Sequence, residues 1–524
     1  MKRDAKRVGL GEHGEAAKLN NSMGGLQLKL YRKYGFDALL SDSISVNRSL
    51  PDARLLTCKK KLYLSVLPMA SIIIIFFNEY LSVLQRSVHS VINRSPPELI
   101  KEVILVDDYS DRDHLHKPLE DYIAGHFTNV RIIRQPRRMG LMAARTAGAR
   151  NATAEILVFL DSHIEANHNW LPPLLEPIAL NKRIVVTPSI NAISFNSFSV
   201  GKKKTYRRDG FMWNLVYMDL PRLPEDLKFP DKPFKSPIMM GGLFALASQF
   251  FWELGGYDEG LDIYGGEQYE LSFKIWMCGG ELYNVPCSHV AHIYNRNKKN
   301  YKLPVARSNY FRKNMKRMAQ VWMDDFKQFV QKPLHNVNAG DLTKQKALRS
   351  KLKCKSFKWY LKNVAFDIVD RFPPYIYASG AIQNLGNVNM CVDVLGNDTL
   401  KPIGLHHCAR NLIRPKQSQF WVLSPRKELR LQLQNKYTKC LEVHTLKRNA
   451  PVWQSPCHRN GGNQYWNYDY KTGLLQYRKE GERCLEMLPL KKTVVVNACN
   501  KSNMYMQWNI GFVNRKALKN IESL

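Results

Sequence analysis

Residues 156–164 read Ile156-Leu157-Val158-Phe159-Leu160-Asp161-Ser162-His163-Ile164. The opening apolar run has the length and texture of a strand buried on both faces, as found inside a parallel sheet. The acid and the histidine that close it are two positions apart, so at a strand end their side chains project from the same face. A carboxylate and an imidazole together can hold one metal while leaving positions open for other oxygens. That donor set suits an ion such as Mn²⁺ clamped onto a diphosphate. By itself an Asp-x-His pair serves equally well as a helix cap or a structural pair, so its meaning rests on its surroundings.

The same texture recurs on both sides. Residues 71–77 form a β-branched run, 79–92 are helix-like, and 103–106 are a second buried strand followed directly by Asp107-Asp108; 130–134, 155–160 and 184–188 continue the series. Strands alternating with helical segments predict an α/β domain with a mostly parallel, Rossmann-like sheet covered on both faces. Ligands of such sheets sit at the C-terminal strand ends. Asn78-Glu79, Asp107-Asp108 and Asp161-Ser162-His163 then lie along one edge, where a nucleotide would bind. A less regular stretch, about 195–235, leads to Gly241-Gly242 and a glycine-rich segment at 255–280. Residues 306–329 read as helical, and their stripe of Met315, Met318, Val321 and Trp322 reads as core packing. A basic stretch, about 332–371, ends at Pro373-Pro374, a domain boundary.

Beyond it a unit repeats three times. Cys391-Val392-Asp393 returns as Cys440-Leu441-Glu442 and Cys484-Leu485-Glu486, each followed by a second cysteine and then by Trp421, Trp466 or Trp508. Gln419-Phe420-Trp421 and Gln464-Tyr465-Trp466 share a Gln-x-Trp signature, which the third copy, Met506-Gln507-Trp508, has lost. A period of roughly 45 residues repeated three times predicts an all-β array whose units bury their cores against one another.

At 524 residues the chain exceeds one ordinary core, so two or three domains are expected. Its net charge of +33 is open to nucleic acid, a membrane surface or anionic glycans and small molecules, but the basic residues are scattered and no nucleic-acid module accompanies them. Ten cysteines without a C-x-x-C argue against zinc ribbons and thiol redox chemistry and for a secretory compartment. N-glycosylation tripeptides stand at Asn20, Asn47, Asn93, Asn151, Asn397 and Asn500. The basic N-terminus has no apolar stretch of signal length, so a membrane anchor is expected outside this sequence.

In order along the chain, Val106-Asp107-Asp108-Tyr109-Ser110-Asp111-Arg112, Asp161-Ser162-His163, Gly241-Gly242-Leu243-Phe244, Tyr264-Gly265-Gly266-Glu267-Gln268 and Trp322-Met323-Asp324-Asp325, with the threefold β domain after them, resemble the polypeptide N-acetylgalactosaminyltransferases. Asn93-Arg94-Ser95-Pro96-Pro97-Glu98-Leu99 and Cys354-Lys355-Ser356-Phe357-Lys358-Trp359 look most like the branch that favours acceptors already carrying a sugar. The resemblance implies a stem or arm at 1–65, a GT-A catalytic domain at 66–330, a basic connector at 331–375, a ricin-type lectin β-trefoil at 376–515 and a tail at 516–524. It further implies a Golgi-luminal, type II membrane enzyme that uses UDP-GalNAc and Mn²⁺ to glycosylate serine or threonine, in peptides or GalNAc-glycopeptides, with retention of configuration. No nucleic-acid partner is expected.

By the same resemblance the metal ligands are Asp161, His163 and His292, with His289 a local hydrogen-bonding residue. Asp108 and Arg138 map to uridine contacts and Ser162 to a donor contact. Gly241, Gly242 and Tyr264 line the donor sugar, and Glu267 binds its hydroxyls. Arg296 maps to the diphosphate arginine and Tyr301 to a loop tyrosine, taking Asn295 as a one-residue insertion. Phe211, Trp213 and Tyr294 line the acceptor groove, although on residue type alone all three read as packing. Asp107 either caps the following turn or touches substrate. Expected disulfides are Cys58–Cys287, Cys278–Cys354, Cys391–Cys408, Cys440–Cys457 and Cys484–Cys499.

The chain departs from the family at several positions. Met240 stands where alanine is usual beside the donor sugar, Tyr264 replaces a tryptophan, and Phe77 a histidine. Asn191 replaces an aspartate, and Met139 and Ala143 interrupt a normally Arg-Glu-Gly and Arg-containing stretch. Extra atoms at Met240 fill space that the sugar needs, so a second class of function stands beside the transferase: a weak or silent paralogue that binds carbohydrate or glycopeptide. In the β domain, Asp393 with His406 and Asn411 is the expected sugar site. Glu442 and Glu486 push a carboxylate into the sugar's space. The alternative is that all three repeats are structural and Asp393 braces a turn.

Overall fold

The computed structural model describes residues 4–19, 24–201, 206–294, 309–331, 334, 336–371, 376–396, 402–433, 436–458, 460–478, 482–515 and 518. It divides into two compact units, Met1–Phe366 and Asp367–Leu524.

The first unit contains strands β1 (Ala70–Phe76), β2 (Ile100–Asp107), β3 (Val130–Arg134), β4 (Ile156–Asp161), β5 (Ile164–Ala166), β6 (Ile184–Ile193), β7 (Arg208–Phe211), β8 (Tyr217–Leu220), β9 (Phe234–Lys235), β10 (Phe244–Ala247) and β11 (Glu281–Ile293). Nine build one sheet in the order β3-β2-β1-β4-β10-β6-β11-β5, with β9 on β11, while β7 and β8 pair separately. The pairs β1–β2, β1–β4, β2–β3 and β6–β11 are parallel. Strand β10 runs antiparallel between β4 and β6. This is the mostly parallel α/β sheet expected of a GT-A domain. Apart from Ser71 in β1 and the closing Asp161 of β4, strands β1 and β4 are apolar and buried. The helix Leu141–Asn151 approaches so closely that a Cβ on Gly148 would lie 2.4 Å from Ile73 Cγ2.

Strand order reverses at β1, which has β2 on one side and β4 on the other, and such a reversal opens a crevice at the C-terminal strand ends. Register aligns those ends: Phe76 lies beside Asp107, and Ile75 beside Asp161.

Residues before β1 are built into this unit. Arg48, fully buried, pairs with Glu165 at 2.7 Å, and Cys58 is bonded to Cys287 in β11. At the other end, the helices Thr343–Lys351 and Phe357–Asn363 also pack here, through Cys278–Cys354 and a hydrogen bond from Tyr360 Oη to the Pro237 carbonyl, 2.9 Å.

The second unit is a β-trefoil. Three of its tryptophans are fully buried and play one part: Trp421, Trp466 and Trp508 donate Nε1–H to the carbonyls of Val392, Leu441 and Leu485, each the residue after a repeat's first cysteine. The side chain two positions before each tryptophan accepts the amide of the residue after the second cysteine. Gln419 accepts from Ala409 and Gln464 from His458. In the third repeat the Met506 sulfur takes that place, accepting from Asn500 at 3.3 Å. Bridges Cys391–Cys408, Cys440–Cys457 and Cys484–Cys499 close the repeats. No helix among the described residues is long and apolar enough to cross a membrane.

Candidate active site

Asp161 ends β4, His163 lies just past it, and His292 comes from β11, which runs antiparallel to β5 with His292 opposite Ile164. One ligand atom from each of the three lies within 4.8 Å of the others. His292 Nε2 is 3.1 Å from Asp161 Oδ2, and the two imidazoles lie 4.6 Å apart, edge to face. His289, three residues earlier on the same strand, faces the other way. It is fully buried and bonded through Nδ1 to Asn191 and through Nε2 to the Tyr206 hydroxyl.

A fourth residue holds this group from behind. Glu79, just past the end of β1, receives both the Ser162 hydroxyl and His163 Nδ1 on Oε2, each at 2.9 Å. That contact directs His163 Nε2 away from the carboxylate, in the arrangement by which an outer carboxylate orients a metal-binding imidazole. Burial lowers the pKa of His163, but the hydrogen bond and charge of Glu79, with the charge of Asp161, together outweigh it, and the net shift is upward. Burial holds His292 below the ordinary histidine value, which favours the neutral ring that ligates a cation. Its Nδ1 is buried without a hydrogen-bond partner. Burial raises the Asp161 carboxyl, yet His292 and Arg145 together bring it below the usual carboxylate range. A carboxylate and two imidazoles held this way fit a divalent ion that accepts mixed O and N donors.

The floor beside Asp161 is low. A Cβ on Gly242 would meet Asp161 Oδ2 at 2.6 Å, and Gly241 has φ of 99°, so neither position accepts a side chain without strain. Glu267 opens the helix Glu267–Met277 and is buried, which raises its carboxyl against the pull of Arg145. Its Oε2 accepts from the Gly265 amide at 2.8 Å. Asn314, from the helix Tyr310–Trp322, braces the loop before it by donating to the carbonyls of Asp262 and Gly265. Arg145 is the unforeseen member. Fully buried, it reaches Asp161 Oδ1 at 3.6 Å, the Gly242 carbonyl at 3.4 Å and the Tyr257 hydroxyl at 3.3 Å. Above the floor stand three half-exposed side chains, Met240, Tyr264 and Tyr294, with the Tyr294 hydroxyl 3.8 Å from the Met240 sulfur.

On the β2 side, Asp108 accepts the amides of Met139 (2.7 Å) and Gly140 (3.0 Å) and pairs with Arg138 Nε at 2.9 Å. Arg138 lies over the Phe77 ring, 3.2 Å from its centre. Asp107 takes the Ser110 amide, so it caps the turn. Phe211 is fully buried against Tyr269 and Phe273; half-buried Trp213 stacks on Phe326 at 6.0 Å. Arg296 and Tyr301 lie outside the described residues.

In the trefoil, Asp393 is buried, with Oδ2 accepting from the Ser418 hydroxyl (3.1 Å) and facing Lys416 Nζ (3.4 Å). Lys416 also reaches His406 Nδ1 at 3.3 Å. Asn411 instead accepts the Ile413 and Arg414 amides of its own turn. Glu442 is occupied by Asn463 and Gln464, and Glu486 by Asn497 and Asn503.

Comparison with known proteins bears on the same regions. Residues 71–255 match the model of glycosyl transferase family 2, 224–298 that described as the N-terminal domain of galactosyltransferase, and 378–508 that of the ricin-type beta-trefoil lectin domain. N-acetylgalactosaminyltransferase 6 of Drosophila melanogaster is 56% identical over 528 residues, covering 99% of this chain and 79% of the relative. Polypeptide N-acetylgalactosaminyltransferase 10 of Homo sapiens is 42% identical, with coverage of 99% and 86%. Among solved structures, GalNAc-T7 with UDP, GalNAc and Mn²⁺ superposes with a TM-score of 0.67 at 31% identity, covering 97% of this chain and 93% of that one.

Proposed function

The chain belongs to the polypeptide N-acetylgalactosaminyltransferases, and from that premise we propose that it transfers GalNAc from UDP-GalNAc to serine or threonine hydroxyls of peptides or GalNAc-glycopeptides, with retention at the anomeric carbon. The observation that carries this reading is the convergence of Asp161, His163 and His292 beside a buried Glu267 and a glycine floor. Asp161, His163 and His292 would hold Mn²⁺, which when bound offsets the charge growing on the departing diphosphate. Glu79 keeps His163 in the ligating orientation. Glu267 takes hydrogen bonds from the sugar hydroxyls, and Arg145 balances the two carboxylates that would otherwise repel each other under the donor. Arg296 serves the diphosphate and Tyr301 contacts substrate as the loop tyrosine, Asp108 and Arg138 hold the uridine and Ser162 the donor, and Phe211, Trp213 and Tyr294 form the acceptor side. Asp393, with His406, is the sugar contact of the lectin unit. We assign the enzyme to the Golgi lumen as a type II membrane protein.

Met240 favours a second reading, a weak or silent paralogue, because its side chain rises where the donor sugar would lie. One assay separates the two. Purified protein with UDP-GalNAc, Mn²⁺ and a serine/threonine peptide is expected to yield glycopeptide, to stop with chelator, and to show a donor KM lowered roughly tenfold by Met240→Ala. An inert wild type revived by Met240→Ala favours the second reading; two inert proteins that still bind Mn²⁺ defeat the first.

A further inference from the structure

The segment 343–363 carries eight lysines and arginines and not one aspartate or glutamate. Two of the cations are spent within the fold: Lys344 pairs with Glu259, and Arg349 is clamped by Asp324 at 2.7 and 3.1 Å. Lys346, Lys351, Lys353 and Lys362 are exposed and make no ion pair among the described residues. A surface cavity of about 540 Å³ opens among them, lined by Lys346, Arg349, Lys353 and Gln320.

The placement of this face gives it a use. Trp213 stacks on Phe326, and Phe326 follows Asp324 by two residues in a single turn. Asp324 in turn grips Arg349 at the cavity wall and accepts the Phe357 amide at 2.7 Å. The acceptor-side aromatic and the basic cavity are thus joined through one short turn. Clustered unpaired lysines concentrate negative charge from solution.

We propose that this basic face is an exosite for an acidic stretch of the acceptor polypeptide, lying a few residues from the glycosylated hydroxyl. The proposal rests on the transferase reading and names a substrate class for it. The test has two arms. In the first, a fluorescent peptide of six glutamates with no serine or threonine is titrated against the whole protein and against the Lys346→Glu/Lys353→Glu variant. Binding is expected to the wild type, to fall in 0.5 M salt, and to vanish in the variant. In the second, transfer to a neutral peptide is compared with transfer to the same peptide bearing an acidic tail. The tail is expected to lower KM roughly fivefold for the wild type only, a span reachable by two or three exposed ion pairs, with neutral-peptide kinetics equal in both proteins. An acidic peptide that does not bind, or binds both proteins alike, overturns the exosite. Binding of a sulfated oligosaccharide but not of the peptide also overturns it, with a glycan as the occupant. Failure to glycosylate even the neutral peptide strikes the transferase reading instead, and the binding arm still reports on the exosite.

Discussion

At the scale of single residues, the candidate site is a small set of charges, each needing a specific neighbour. Glu79 is the clearest case, since one of its oxygens serves both Ser162 and His163. Glu79→Gln is expected to weaken Mn²⁺ binding by about 10- to 100-fold while leaving thermal stability nearly unchanged, as read by titration of the ion's electron paramagnetic resonance signal. Unaltered Mn²⁺ affinity would remove Glu79 from the site. The three proposed ligands were legible because two sit at a strand end in Asp-x-His order and the third follows from the family motif. On sequence Glu79 falls on the correct edge without a visible task, because its partner is 84 residues away and only the pairing of β1 with β4 brings them together. Arg145 leaves a fainter trace, a cation among the small residues Ala143, Ala144, Thr146, Ala147 and Gly148 of its helix. Asn411 reads as a sugar contact by composition, yet its own turn takes its carbonyl, and Ser418 meets Asp393 instead.

At the scale of elements, polar ties at the sheet's other end show how strands are kept in register. Glu102 of β2 accepts from the Ser71 hydroxyl of β1, from the Thr153 amide and hydroxyl before β4, and from Arg131 of β3. Burial raises this carboxyl, but the four donors outweigh it and bring it below the usual 4.5. A depressed carboxyl stabilises the fold above its unfolded value and loses that contribution as pH falls through the folded one. Glu102→Gln should therefore be less stable than wild type at pH 7, with the gap narrowing below about pH 4.5. Urea midpoints measured at both pH values test this, and a gap that stays constant contradicts it. The parallel strands and the threefold repeat were legible because apolar runs and a fixed period are local signals. The antiparallel insertion of β10 between β4 and β6 was not, since Phe244–Ala247 reads like any short apolar run.

At the scale of the whole molecule, covalent links do much of the holding. The three trefoil bridges close segments of 17, 17 and 15 residues, a length at which each stabilises by about 3 kcal/mol. Reduction is thus expected to unfold the second unit at a markedly lower temperature, visible as a red shift of emission from its buried tryptophans Trp421, Trp466 and Trp508. An unchanged midpoint would mean that the Trp-centred core suffices without the bridges. The first unit has a counterpart of another kind. Asp161 and His292 stand 131 residues apart in the chain, and β11, which carries His292, is already tied by Cys58–Cys287. An ion shared by Asp161, His163 and His292 would act as a reversible cross-link: the link could form only once β4 and β11 have reached their places, and it would resist their parting by mass action. The manganese supply of the compartment would then set how long this sheet stays assembled as well as how fast it turns over substrate.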